Sequence, residues 1–290
     1  MAERLVKRYA GRAHFIGLTR RAARVAELRA LGVTPFVGDL DDARSLRRLP
    51  RVDGVFHFAP PPADGKTDPR TARLLHALSR HGKTGALVYI STSGVYGDCG
   101  GNWVAETRAV APVNGRAVRR VDAERQLRNW GETQRVQVSI LRAPGIYAND
   151  RLPLERIKRG TPALISEDDS YTNHIHADDL ARLAWAALFR GRAQRIYHAV
   201  DAHPLKMGDW FDSCADAFNL PRPPRVNRAE AEKVLSEALL SFLRESRQLS
   251  NTRATDELRL KYRFPSSDDC LNEIRQSRVE ADRRGQMKLF

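Results

Sequence analysis

Five short segments carry side chains suited to chemistry: Thr19-Arg20, Asp39-Leu40, Ala59-Pro60, Ser91-Thr92-Ser93 and Ala143-Pro144-Gly145. Their hydroxyls, carboxylate and guanidinium could hydrogen-bond a polar ligand. Each also has a plainer reading. Ser and Thr at a strand end are turn formers. Asp39 could cap a helix starting at Asp41, Arg20 could be solvated, and Pro60-Pro61-Pro62 could be a rigid connection rather than a groove lining. Arg116 and Arg120 stand one helical turn apart. They could hold an anion between them or simply face water, but guanidinium stays protonated and cannot serve as acid or base. His174, His176 and Asp178 have a spacing that suggests metal. Neither Cys nor another His lies close in sequence, so no metal site is expected. Cys99, Cys214 and Cys270 are far apart and form no CxxC pair, which argues against a disulfide framework or zinc and for the reducing cytoplasm.

The elements that must position these segments follow from periodicity. Apolar runs at 14–19, 33–37, 52–58, 86–90 and 136–141 read as strands. Residues 21–31, 71–81 and 118–130 between them read as helices. Near-continuously apolar strands alternating with helices mean an α/β fold with a parallel sheet covered on both faces. In such sheets ligands sit beyond the carboxyl ends of the strands, which is where the five segments fall. After Tyr147 the alternation fades. Residues 176–190 form a strong helix, 195–200 one more strand, and 207–218, 228–244 and 271–284 further helices, which reads as a smaller, mainly helical unit over the ligand edge.

The 290 residues, 42% hydrophobic and 29% charged, are enough for a real core and exclude wholesale disorder. No apolar run approaches the ~18 residues of a membrane span, and the charged start has no secretory signal. The net charge of +14 comes from 41 Arg and only 8 Lys spread along the chain. It reads first as Arg-for-Lys codon bias, then as affinity for an anionic small molecule. Nucleic acid is not expected, because no motif for it is visible and the Arg are dispersed.

Tyr89-Ile90-Ser91-Thr92-Ser93-Gly94-Val95-Tyr96-Gly97-Asp98 resembles the active-serine strand and loop of the extended short-chain dehydrogenase/reductases, which include the NAD(P)-dependent epimerases and dehydratases. Leu141 to Tyr147 resembles their loop beside the nicotinamide, and His174 to Leu180 the segment returning the chain to the nucleotide-binding domain. Phe242 to Leu258, with Glu245-Ser246-Arg247 and Asn251, resembles the substrate lobe of an atypical branch. The similarity runs from about residue 14 to 265. It implies a Rossmann-like, doubly wound domain over 1–146 and 176–200, a substrate lobe over 147–175 and 201–265, and a helical tail over 266–290. Thr92 would bind the substrate oxygen, flanked by Ser93. Asp39 would meet the adenine, Leu40 would pack on it, and Ala59, Pro60 and Pro144 would line the cofactor groove. Arg20, without an acidic neighbour, favours NADP over NAD. The segment of His174 and His176 would be a structural hinge, with Asp178-Asp179 capping the next helix.

Two departures bear on function. The family's G-x-G-x-x-G loop and the central strand before it are absent from this sequence, whose Leu5-Val6 and Tyr9-Ala10-Gly11 look like the final turns of the first helix. Either the recorded start lies downstream of the true one, the preferred reading, or the chain binds no cofactor. As recorded, it is expected to bind dinucleotide poorly and to be marginally folded. The family's Tyr-x-x-x-Lys pair should fall near residues 116 and 120, which are Arg116 and Arg120. Tyr96 and Tyr147 are candidates for a replacement donor, although Tyr96 is usually a packing residue of its motif. The resemblance implies an oxidoreductase using NADP or NAD on a carbonyl or secondary alcohol of a small, nucleotide-linked or anionic substrate. The alternative is a non-catalytic nucleotide-binding sensor or scaffold. A homodimer is compatible with both.

Overall fold

A computed structural model of the chain describes residues 1–80, 82 and 84–287. Helix α1 (Ala2–Tyr9) leads into β1 (Phe15–Thr19), and α2 (Val25–Ala30) into β2 (Val33–Val37). Gly32, at φ +73°, supplies the left-handed turn between α2 and β2 that a residue with a Cβ disfavours. Next come β3 (Gly54–His57), α3 (Pro69–Arg80), β4 (Ala86–Thr92), the short β5 (Trp103–Val104), α4 (Gly115–Gln134) and β6 (Gln137–Ala143). Short pieces follow: β7 (Gly145–Tyr147), α5 (Leu154–Lys158), β8 (Ala163–Leu164), β9 (Tyr171–Thr172) and β10 (His174–His176). Helix α6 (Ala177–Arg190) then returns the chain to the sheet as β11 (Arg195–His198). Beyond it lie β12 (Leu205–Lys206), α7 (Met207–Ala217), β13 (Arg225–Val226), α8 (Arg228–Val234), α9 (Glu237–Leu243), β14 (Gln248–Leu249), α10 (Thr252–Leu258) and α11 (Ser267–Met287).

The parallel α/β reading holds, with the strands divided between two sheets. Strands β3, β4, β6 and β11 form a four-stranded parallel sheet in the order β11-β6-β4-β3, while β1 and β2 pair separately. Among the described residues no backbone pairing joins β1 to β3. Burial follows this division: the middle of β4 and β6 is buried, whereas β1 and most of β3 are only half-buried. Aromatic side chains partly cover that region. Tyr9 stacks on Trp185 at 4.1 Å, and Phe15 and Phe56 flank the same indole.

Helix α6 covers one face of the sheet with Leu180, Leu183, Ala184 and Ala187. The other face takes Leu74, Leu75 and Leu78 of α3 and Ala123 and Leu127 of α4. A fully buried Leu or Ile contributes roughly 1.5–3 kcal/mol relative to exposure, so these two layers carry most of the sheet's stability. Away from the sheet, Trp210, Phe211 and Cys214 of α7 pack on Leu271 and Ile274 of α11. The helix expected over 21–31 is a short 3-10 turn followed by α2. The one expected over 228–244 is two, because Leu235 adopts an extended backbone and is buried with Leu164, Leu240 and Leu243. The expected helix end at His81 lies outside the described residues. No helix among those described is long and apolar enough to cross a membrane.

Candidate active site

Strand register gathers the central residues. Thr92 ends β4 opposite Ala143 of β6, so Pro144 follows beside it. His57 pairs with Tyr89, which sets Ala59 and Pro60 at the same carboxyl edge. Thr92 makes the turn that its type favours, its Oγ1 accepting from the Gly94 amide at 3.2 Å. Ser91 is buried and donates to Glu124 Oε1 at 2.6 Å, and Ser93 is buried behind the turn.

Helix α4 is started by Asn114, whose Oδ1 accepts from the Ala117 amide at 2.9 Å. It carries the two arginines to different partners. Arg120 donates to the Ile90 carbonyl at 2.7 Å and to the Tyr89 hydroxyl at 2.8 Å. Arg116 lies over the Phe242 ring, 4.9 Å from its centroid. The pair therefore does not close on one shared anion. One turn further, Glu124 takes Arg142 in a buried two-point ion pair of 3.1 and 2.6 Å, and Arg142 lies 4.7 Å over Tyr96.

Both tyrosines named as replacement donors are buried and hydrogen-bonded within the fold. Tyr96 Oη is 2.7 Å from His198 Nε2, and burial pushes its phenol up to about 12. Tyr147 donates to the Ser266 carbonyl at 3.3 Å, and burial raises its phenol as well. A proton-shuttling phenol needs the opposite shift.

The segment around Glu245 packs on the loop that follows Thr92. Ser246 N–H donates to Asp98 at 2.8 Å, and Arg247 donates to the Gly97 carbonyl at 2.7 Å. Strand β14 then pairs with β5. These contacts bury Glu245, whose Oε1 accepts from Asn114 Nδ2 at 3.2 Å and whose Oε2 accepts from Arg247 at 2.9 Å. Sequence reasoning marks Glu245-Ser246-Arg247 as a segment but assigns no role to Glu245 or Asn114. Chain order hides a contact spanning 131 residues. The turn beneath depends on Gly97, at φ +67°, where a Cβ would stand 2.3 Å from the Ala111 carbonyl oxygen. Gly97→Ala is expected to destabilise the chain by about 1–3 kcal/mol through strain at this position, read as a lower urea midpoint. An unchanged midpoint would show that the turn relaxes freely.

Beyond β2, Asp39 Oδ1 accepts from the Asp41 amide at 2.9 Å. This is a turn, because no helix begins at Asp41; the next helical turn starts at Ser45. Arg73 donates to the Leu40 carbonyl at 3.1 Å, and Arg70 pairs with Asp41 while reaching the Pro60 carbonyl at 3.2 Å. Asp39, Leu40 and Pro60 thus belong to one cluster. Arg20 is exposed beyond β1, and the Asp41 carboxyl is lowered chiefly by its hydrogen bond to Arg70, with a smaller contribution from the charge of Arg20. The cap of α6 is also reassigned: His176 Nδ1 accepts from Asp178 N–H at 3.2 Å. Asp178 pairs with Arg4, and buried Asp179 accepts from the amides of Arg263 and Phe264. His174 packs on Trp210, ring centroids 4.5 Å apart.

Among the described residues no strand runs through a glycine loop into α1, whose cap is Met1. The described residues therefore offer no such loop for a pyrophosphate.

The model of the NAD dependent epimerase/dehydratase family matches residues 1–200. GDP-6-deoxy-D-mannose reductase of Pseudomonas aeruginosa is 26% identical over 184 residues, 57% of this chain, and the chain spans 60% of that relative's length. A functionally unknown conserved protein from Silicibacter pomeroyi DSS superposes with a TM-score of 0.79 at 26% identity, covering 95% of each chain. dTDP-glucose 4,6-dehydratase from Bacillus anthracis str. Ames, solved in complex with NAD, has a TM-score of 0.74 at 14% identity, covering 93% of this chain and 89% of that one, a likeness of fold. With the match extending over more than half of its length, this chain belongs to the NAD-dependent epimerase/dehydratase family.

Proposed function

We propose that the chain is an NAD(P)-dependent oxidoreductase of the epimerase/dehydratase group, acting on a carbonyl or secondary alcohol of a small, nucleotide-linked or otherwise anionic substrate. The observation carrying this reading is Thr92: its hydroxyl stands at the end of β4, beside Ala143 and beneath the 245–247 segment. A bound nicotinamide would supply or take the hydride. Thr92 would orient the substrate oxygen with Ser93 behind it, and residues 147–175 and 201–265 would form the substrate lobe beside the nucleotide domain of 1–146 and 176–200. Family membership and the NAD held by the dehydratase of similar fold support a nicotinamide cofactor.

A second reading, a non-catalytic nucleotide-binding sensor or scaffold, is favoured by the two arginines. Arg120 is engaged with Ile90 and Tyr89 and Arg116 with Phe242, and neither can pass a proton at neutral pH.

One experiment separates the readings. NADPH and NADH fluorescence is followed with UDP-, dTDP- and GDP-sugars, for the chain and for Thr92→Val. Turnover that falls by about 100-fold in the variant supports the enzyme, the loss being that of one oriented hydrogen-bonding group. Binding without turnover supports the sensor, and neither binding nor turnover overturns both.

NADP is the proposed form of the cofactor, because Arg20 lies beyond β1 where the ribose would be read. In a chain extended to include the missing strand and glycine loop, Arg20→Asp is expected to weaken NADPH binding roughly tenfold and NADH binding less than about threefold, the loss of one charge-assisted contact. Equal losses in calorimetry would remove Arg20 from the assignment.

A further inference from the structure

We propose that Glu245 is a ligand-contacting carboxylate, accepting a hydrogen bond from a substrate hydroxyl next to the oxygen that Thr92 binds. The inference rests on the reading of Thr92 as the substrate-oxygen partner and adds what kind of ligand the site selects.

The space above Gly94 shows the arrangement. A Cβ placed on Gly94 would lie 3.5 Å from Thr92 Oγ1 and 3.8 Å from Glu245 Oε2, the latter two being on segments 153 residues apart. These are ordinary van der Waals distances, so one atom fits there with an oxygen from each residue against it. Glu245 is brought to this spot from both sides. Asn114, already committed to starting α4, holds Oε1, and Arg247, fixed to the Gly97 carbonyl, holds Oε2. The carboxylate is thus ordered before a ligand arrives, which reduces the entropy lost on binding.

Acceptor capacity points to the same role. An ionised carboxylate offers about four lone-pair sites. Two internal donors reach Glu245, one on each oxygen, which leaves acceptor capacity that a ligand hydroxyl would fill. A carboxylate accepts only, whereas the Thr92 hydroxyl can donate or accept. Together they match an oxygen flanked by a hydroxyl, as on a sugar ring, better than an isolated ketone.

Calorimetry with UDP-glucose, dTDP-glucose and GDP-mannose, each against its own nucleoside diphosphate, tests the proposal. At least one nucleotide sugar is expected to bind about tenfold tighter than its diphosphate, one good hydrogen-bonding arrangement's worth. Glu245→Gln and Gly94→Ala are each expected to bring that ratio near one while the diphosphate binds as before. Gly94 lies outside the left-handed region and its Cβ would meet nothing closer than 3.5 Å, so the alanine variant folds and places a methyl in the proposed contact. If both variants keep the ratio while Thr92→Val loses it, Glu245 is excluded and the site stands. If the unaltered chain shows no preference for any sugar, the reading of Thr92 falls, and Glu245 with it.

Discussion

Acidification alone is expected to unfold the chain, with a midpoint above about pH 4 on a typical stability margin of ~5–15 kcal/mol. Burial pushes the rings of His57, His174 and His198 down to about 3 and lowers His176 in the same direction. These rings are neutral in the fold and take up protons near pH 6.5 once unfolded. Below that pH the unfolded chain binds more protons, so stability is full above about 6.5 and falls as pH drops. Asp201 and Asp169, whose carboxyls burial raises, act in the opposite sense. Carboxyls held below their usual range, Glu257 by Arg195 and Asp41 by Arg70, add to the loss on acidification. For His57 the burial effect is reinforced by the positive charge of Arg120. Circular dichroism from pH 8 to 4 reads the transition. A native signal unchanged at pH 4 would mean that these rings are not held neutral.

Removing one partner of the Glu124–Arg142 pair is expected to cost about 3–5 kcal/mol, because the other is left charged in the core. Both side chains are 3% exposed. Arg142→Leu would also leave Ser91 donating to a carboxylate without its countercharge. A double variant, Glu124→Gln with Arg142→Met, should recover part of the loss, since it removes both charges. Urea denaturation of the two single variants and the double one checks this. Single variants within about 1 kcal/mol of the parent would indicate that water reaches the pair.

The sheet and the edge that carries the site are legible because their strands are apolar runs between breakers. Val33 to Val37 is read at its observed ends, and Ala86 to Ile90 extends by two residues to Thr92. Hydrophobic periodicity says which residues are inside but not which strands touch; the separation of β1 from β3 agrees instead with the central strand that the resemblance leaves missing from this sequence. The divided helix over 228–244 is missed because Leu235 continues the apolar pattern while its backbone leaves the helix. The candidate site divides along the same line. Thr92, Asp39, Leu40, Pro60 and Pro144 follow strands and can be located by counting. The separate paths of Arg116 and Arg120 depend on Phe242 and Tyr89, and Glu245 on Asn114, long-range partners that no spacing rule brings together.

The tie between the 245–249 segment and the loop after β4 has a consequence for how the protein is made. Asp98 and Ser246 are 148 positions apart, a stretch that takes roughly 7–30 s to synthesise at 5–20 residues per second. During that interval the nascent chain can already pair β3, β4 and β6, yet Asp98, Gly97 and the edge of β5 lack the partners that residues 246–249 supply. A stalled or clipped product ending before Glu245 would therefore lack every contact that residues 245–249 make with the loop after β4.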